Sequence, residues 1–330
     1  MPRLPARTIG AVVRSATVIS LRRLLRRAPL FAGWTFREEL IIGLIRERFA
    51  RQESIEKSRA KLDKLGNQVQ GLADWEAVEV DGISAVWARP RGGTTRSGAV
   101  VLYLHGGAYG VGSDRSHRAM VERMVAASGA DILVINYRLA PEHPCPAAIE
   151  DVVIAWRWML AQGIDPARSV FLGDSAGGGL VLTGLMALRD AGAVLPAQGI
   201  CLSPWTDLTL SGASHTDNAP YDYLGPADIS GFARRYAGTL PLGDPRVSPA
   251  FGELSGLPPL LIHAGGAEVL LDDARMIAER GAEAGVSVEL DIWPGQVHVW
   301  HGFARVLPQG QAAIDKVGAV VRGVGEGHRS

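Results

Sequence analysis

Cysteine is almost missing. Cys145 and Cys201 are the only two in 330 residues, and they form no CxxC pair. That excludes a disulfide framework and a cysteine-built zinc site. Neither sign of charge is in excess, since Lys+Arg and Asp+Glu both total 34. That argues against a global electrostatic grip on nucleic acid. No uncharged apolar run reaches the roughly 18 residues that a membrane span needs. The 40 glycines show no three-residue period, so a collagen is excluded. There is no G-x-G-x-x-G and no GK[ST], which argues against a phosphate-binding turn. The length suggests about two domains, and such a chain buries enough surface to fold without staples.

Acid is also missing from the first 27 residues, which hold Arg3, Arg7, Arg14, Arg22, Arg23, Arg26 and Arg27. The apolar stretch between Arg14 and Arg22 is too short for a secretory leader, and no clear cleavage pattern follows it. A cytoplasmic location is expected. Leu21, Leu24, Leu25 and Ala28 recur at helical spacing, with arginines on the other side. A second helical stretch runs over Thr35–Leu65. Two readings follow. In one, the pair of helices packs over the core as part of a cap. In the other, a basic amphipathic helix lies on an anionic membrane surface.

From about residue 75 the texture changes. Ala77–Val80 and Ser84–Ala88 are short β-like runs split by Asp81-Gly82, a hairpin signal. Short apolar runs follow at Ala99–Leu104, Asp131–Tyr137, Ser169–Leu172, Gly199–Ser203, Pro259–Ala264 and Ser287–Trp293. Between them lie helical patterns at Ser116–Ser128, Ala147–Gln162, Gly178–Ala191 and Asp273–Ala284. Gly129, Gly163, Gly192 and Gly285 stand just past those helices, where a left-handed cap is expected. Buried strands alternating with helices predict an α/β fold, a mostly parallel sheet with helices on both faces and an antiparallel start. The interval from Thr206 to Gly256 breaks the rhythm and suits an inserted cap helix with loops.

Gly173-Asp174-Ser175-Ala176-Gly177 is a G-x-S-x-G between a predicted strand and a predicted helix. A serine on that tight turn projects its hydroxyl out of the sheet as a nucleophile, and the flanking glycines avoid collision with strand and helix. Acyl transfer builds negative charge on a carbonyl oxygen, so N–H donors must already point at it. His105-Gly106-Gly107-Ala108, directly after a strand, supplies them. Gly106 and Gly107 are the candidate donors, with Ala176 as a third. His105 is expected to anchor this loop through its ring. The serine needs an imidazole, and the imidazole a carboxylate to orient it. On a serine elbow of this kind the chain order is Ser, acid, His. Past Ser175 the histidines are His215, His263, His298, His301 and His328. His298 follows the strand Ser287–Trp293 and the turn Pro294-Gly295, and His301 is its rival. Glu268 sits on the loop after the penultimate strand, with Asp272 second; helix capping explains one of Asp272 and Asp273.

These residues carry a resemblance. His105–Tyr109, Tyr137–Pro144, Gly173–Gly178, Ser203–Asp207 and Glu268–Asp273 together resemble the hormone-sensitive lipase family of α/β hydrolases, the bacterial family IV esterases. The match spans about residues 75–305. It implies an eight-stranded α/β-hydrolase core and a helical cap built partly from the N-terminal helices. It also implies esterase activity on short to medium acyl chains, without cofactor or metal. The domains are then 1–70, helices forming part of the cap, and 71–330, the catalytic core with a cap insertion around 206–256. Relatives carry Asp or Glu as the acid, and Ala267 departs from the Asp of one such pattern, yet both registers land on Glu268.

The expected function is a serine carboxylesterase working through an acyl-enzyme, with Ser175, Glu268 and His298 as the triad. A lactone hydrolase or an acetyl-ester deacetylase would use the same triad. A peripheral-membrane lipase is a further reading. A non-catalytic ligand binder, like the gibberellin receptors of this fold, is disfavoured because His298 is retained. Tyr109, Asp174 and Trp205 are candidate pocket residues, with Tyr221, Tyr223 and Phe232 either lining a pocket or packing. Asp174 is also read as a loop anchor. Tyr137–Pro144, Glu142 and Asp151 are read as structural support. The expected partners are a small-molecule ester, peripheral membrane contact through the N-terminal helix, and a second copy of the chain, since many relatives dimerise through a sheet edge. Nucleic acid is not among them.

Overall fold

The computed structural model describes residues 6–26, 28–49, 54–92 and 96–327. Arg3, Arg27 and His328, singled out above, lie outside them. Three helices come first: α1 (Ala6–Arg26), α2 (Phe36–Phe49) and α3 (Ile55–Gly66). The series continues as β1 (Ala73–Val80), β2 (Ile83–Pro90), β3 (Val100–Leu104), α4 (Asp114–Ser128), β4 (Asp131–Ile135) and α5 (Ala147–Ala161). Then come β5 (Ser169–Asp174), α6 (Ala176–Asp190), β6 (Gln198–Leu202), α7 (Ser214–Asp217) and α8 (Pro226–Ala237). Last are β7 (Leu260–Gly265), α9 (Leu271–Glu283), β8 (Val288–Trp293) and α10 (Pro308–Gly325).

The eight strands form one sheet in the order β1-β2-β4-β3-β5-β6-β7-β8. β1 and β2 are antiparallel to their neighbours and the rest are parallel. Period-two alternation divides the core between the two faces. Leu102, Leu104 and Phe171 pack with α5, α6 and α9. Val101, Tyr103 and Leu172 pack with α4 and α10. Strands covered on both faces must be apolar throughout, which is why β5, β6 and β7 are buried end to end. At the hairpin, Asp81 (φ 47°) and Gly82 (φ 86°) make the two-residue turn, and Val80 pairs with Ile83.

Each expected strand and each of the four expected helices of the core is present. Gly129, Gly163, Gly192 and Gly285 all take positive φ at the ends of their helices. β1 starts earlier than expected, at Ala73, because pairing with β2 extends to Pro90. The single helical stretch over Thr35–Leu65 is instead two helices, and Ser54 caps the second by accepting the N–H of Lys57. The leucines of α1 differ more. Ile19 is buried, whereas Leu21, Leu24 and Leu25 face solvent and the arginine side meets Glu39 and Glu47 of α2. No helix among the described residues is long and apolar enough to cross a membrane.

Candidate active site

The β5–α6 junction holds Ser175 at φ 55° and ψ −121°, a strained backbone for a residue with a Cβ. Its N–H bonds Leu202 O at 2.8 Å, and its C=O accepts from Trp205 N–H at 2.9 Å. These bonds from the neighbouring strand and loop hold the elbow in place. A Cβ at Gly177 would lie 1.9 Å from Leu104 O, so the helix can approach the sheet only without one.

His298, on the loop after β8, places Nε2 2.9 Å from Ser175 Oγ. It is buried, and burial pushes its pKa down to about 4, so the ring is neutral and able to accept a proton at neutral pH. The rival His301 is turned elsewhere. Its Nε2 meets Nδ1 of His263 at 3.2 Å in a buried stack with Trp300.

The three carboxylates after β7 separate by their partners. Asp272 accepts Ser214 N–H at 2.8 Å and pairs with Arg275 at 3.0 Å. Asp273 accepts Thr206 and Asp207 N–H, both at 2.8 Å, and meets His215 Nε2 at 2.9 Å. Both hold the segment after β6, through Thr206, Asp207, Ser214 and His215, and neither caps α9 as the sequence suggested for one of them. Glu268 is fully buried; its Oε2 accepts from Ser203 Oγ at 2.6 Å, and its Oε1 has no partner among the described residues. Nδ1 of His298 is likewise buried without a partner among the described residues. The two loops are stitched together by Ala267 N–H to Gln296 O at 2.9 Å and Gly266 N–H to Trp293 O at 2.8 Å. Burial pushes the Glu268 carboxyl well up, and the bond from Ser203 opposes that only in part.

The oxyanion loop requires one correction. Gly106 N–H is donated to Asp174 Oδ1 at 3.0 Å, so it cannot also serve an oxyanion. Asp174 is the anchor of this loop. It also accepts from Tyr103 Oη at 2.5 Å and lies 3.4 Å from His117 Nε2. Burial raises its pKa, but His117 and Tyr103 outweigh that and hold it at about 2. His105 anchors the loop as expected, with Nδ1 2.8 Å from Gly106 O and its ring stacked on Tyr137 at 4.2 Å. Past Gly106 the chain turns through positive φ at Gly107 (122°), Ala108 (51°) and Tyr109 (58°). Among the described residues, the N–H groups of Gly107, Ala108 and Ala176 have no acceptor.

The pocket candidates are buried as well. Tyr109 stacks on Tyr236 at 3.7 Å and Trp205 lies in the same cluster, while Tyr109 Oη and Trp205 Nε1 have no hydrogen-bond partner among the described residues. Tyr223 lies nearer the chemistry, 6.0 Å from the His298 ring, between Phe49 at 4.9 Å and Phe303 at 5.6 Å. Tyr221 joins Phe31 and Trp34, and Trp34 Nε1 donates to Gly295 O at 2.6 Å on the His298 loop. Glu142 and Asp151 are supports, paired with Arg59 and Arg138. Arg59 also donates to Gly110 O at 3.0 Å and Ala140 O at 3.2 Å, fastening α3 behind the oxyanion loop.

Two site residues escaped the sequence reading of roles. Ser203, at φ 47°, bonds Glu268 and accepts Val299 N–H at 3.0 Å, next to His298. Its only signal was its place in the Ser203–Asp207 segment. Asp222, in the insertion, accepts N–H groups of Val269 (2.9 Å), His298 (3.2 Å) and Tyr223 (2.8 Å). Burial pushes its carboxyl up to about 7. No motif marks it.

Known proteins resemble this chain over most of its length. The family described as the α/β hydrolase fold matches residues 101–302. An acetyl-hydrolase of Streptomyces hygroscopicus is 47% identical over 260 residues, covering 78% of this chain and 86% of that protein. The carboxylesterase NlhH of Mycobacterium tuberculosis is 35% identical over 226 residues, 66% of this chain and 71% of that one. Among solved structures, an esterase of the bacterial hormone-sensitive lipase family superposes with TM-score 0.84 at 42% identity, covering 88% of this chain and 98% of that one. The crystal structure of EstE5 soaked with p-nitrophenyl butyrate gives TM-score 0.83 at 41% identity, covering 87% of this chain and 97% of that one.

Proposed function

The chain belongs to the hormone-sensitive lipase family of α/β hydrolases and is a carboxylic-ester hydrolase, and on that footing we propose that it is a serine esterase for short- to medium-chain acyl esters. The observation that carries this reading is the 2.9 Å contact between His298 Nε2 and Ser175 Oγ on a strained elbow.

In the proposed reaction His298 takes the Ser175 proton as Oγ bonds the ester carbonyl carbon. The oxyanion is held by the N–H groups of Gly107, Ala108 and Ala176, with Ala108 in the place first given to Gly106. Protonated His298 then gives its proton to the leaving alcohol as the C–O bond breaks. Water, deprotonated by His298, attacks the acyl-enzyme; its proton returns to Ser175 and the free acid leaves. Glu268 is assigned as the orienting acid on its place: among the described residues its Oε1 and His298 Nδ1 are both without a partner and do not bond each other, but the loops that carry them are joined by Ala267 N–H to Gln296 O, so a small side-chain turn would pair them. Asp222 positions both loops. Residues 1–70 and the insertion around 206–256 are assigned to the cap, which the Trp34–Gly295 bond and the Arg46–Pro220 bond support.

Acetyl-ester deacetylation is a second reading of the same site, favoured by the relative named an acetyl-hydrolase. A panel of acetyl, butyryl and longer acyl esters and lactones, assayed with wild type and Ser175→Ala, tests both. Fluorophosphonate labelling should modify Ser175 and fail in Ser175→Ala. An unlabelled wild type refutes the serine mechanism.

A further inference from the structure

α1 carries its hydrophobic residues on the wrong side for a packed helix. Val18, Leu21, Leu24 and Leu25 are 47%, 55%, 75% and 82% exposed, while Ile19 alone of its described apolar side chains is buried. Val18, Leu21 and Leu25 are spaced i, i+3, i+7, so they form one ridge along the helix. Exposed leucines scattered singly need no account, but a continuous ridge on a single helix does.

Charge indicates the occupant. α1 contains five arginines and no acid, and the three glutamates of α2 are matched by three arginines of its own. Arg14 pairs with Glu47, and Arg22 and Arg23 share Glu39, yet the two helices together keep an excess of five positive charges. A second copy seated ridge to ridge would bring two such excesses together. An anionic surface with an apolar interior complements both features. Since no described helix is apolar enough to cross a bilayer, α1 would lie in the plane of the interface.

We propose that α1 docks this enzyme onto an anionic lipid surface, with Val18, Leu21, Leu24 and Leu25 inserted among the acyl chains and the net positive charge of α1 and α2 drawing the pair to the anionic headgroups. The docking is independent of the catalytic assignment. The helix shares a groove of about 540 Å³ with α2, and Trp34, which bonds the His298 loop, also lines that groove.

The test uses the full chain and sedimentation with vesicles of phosphatidylcholine alone or mixed with phosphatidylglycerol. Binding to the phosphatidylglycerol vesicles should be at least about tenfold stronger than to the neutral ones and should weaken as salt is raised. Leu21→Asp/Leu25→Asp should lower it about tenfold or more while hydrolysis of a dissolved short-chain ester stays unchanged. Absence of binding, equal binding to both vesicles, or full binding by the double variant overturns the proposal. So does a wild-type dimer that the double variant dissociates without any lipid binding, which would give the ridge to a second copy. A failed esterase assay alongside lipid binding would refute only the catalytic reading.

Discussion

Asp222 accepts the backbone N–H of His298 at 3.2 Å through Oδ1, and its Oδ2 takes the N–H of Val269, the residue after Glu268, at 2.9 Å. One buried carboxylate from the segment 206–256 therefore clips the His298 loop to the Glu268 loop. Its removal leaves several buried donors without an acceptor, each costing about 1–3 kcal/mol. Asp222→Ala should lower kcat by about 10–100-fold with KM nearly unchanged, because the group acts through the backbone of the His298 and Glu268 loops. Asp222→Asn, which keeps an acceptor oxygen, should recover part of the loss.

The same residue makes a pH prediction whose sign is fixed. Its carboxyl is pushed up to about 7 by burial, from an ordinary value of 3.8. A raised carboxyl favours the folded state most when protonated, and that contribution is lost as pH rises towards 7. Asp222→Asn should therefore gain stability relative to wild type between pH 5 and pH 8, on the order of a few kcal/mol. Urea unfolding at the two pH values measures the gap. A gap that does not change would mean the buried carboxyl does not titrate in this range.

The elbow and the sheet were legible in the sequence because each advertises itself twice. Gly173–Gly177 lies between an apolar run and a helical pattern, and strands buried on both faces read as continuous apolar runs. Asp222 was not legible, since it acts through tertiary bonds from an aperiodic insertion. Which N–H groups of His105–Ala108 are free could not be read either; that depends on Asp174 reaching back from another strand to take Gly106 N–H. On α1, periodicity revealed the leucine stripe but not its direction. An apolar stripe has the same spacing whether it faces a core or solvent, and the pairing of Arg14, Arg22 and Arg23 with α2 decided the matter.

Glu268 and Asp273 should respond differently to loss of charge. Both are buried acids after β7, but Asp273 is committed to His215 and to two N–H groups at the root of the insertion. Glu268→Gln should depress kcat by at least about 100-fold with little change in melting temperature. Asp273→Asn should lower the melting temperature and leave the kcat of the folded fraction within several-fold of wild type. The reverse pattern would transfer the acid's role to Asp273.

The acid limb of the rate profile reports the base. His298 is pushed down to about 4 by burial, so protonation should disable it only well below the ordinary histidine value of 6.5. kcat/KM should hold nearly level from pH 7 down to about 5 and then fall with a slope of one. His301, packed against His263 and Trp300, should leave that limb in place when changed to Gln. A limb near 6.5 that moves in His301→Gln would make His301 the titrating group.

Trp34 tests whether the helices before the sheet matter to the chemistry. Its Nε1 donates to Gly295 O at 2.6 Å, three residues before His298, and its ring packs against Phe31 and Tyr221. Trp34→Phe keeps most of the aromatic packing and removes the hydrogen bond. Gly295 O then loses its donor in a buried setting, and the His298 loop is freer to drift from the 2.9 Å contact with Ser175. Small misplacements of a general base cost rate steeply, since orientation supplies a large part of the acceleration. Trp34→Phe should lower kcat about 5–50-fold and slow fluorophosphonate labelling of Ser175 by a similar factor, with the melting temperature changed by only a few degrees. Unchanged labelling with unchanged kcat would show that the base loop keeps its own geometry and that the N-terminal helices act elsewhere.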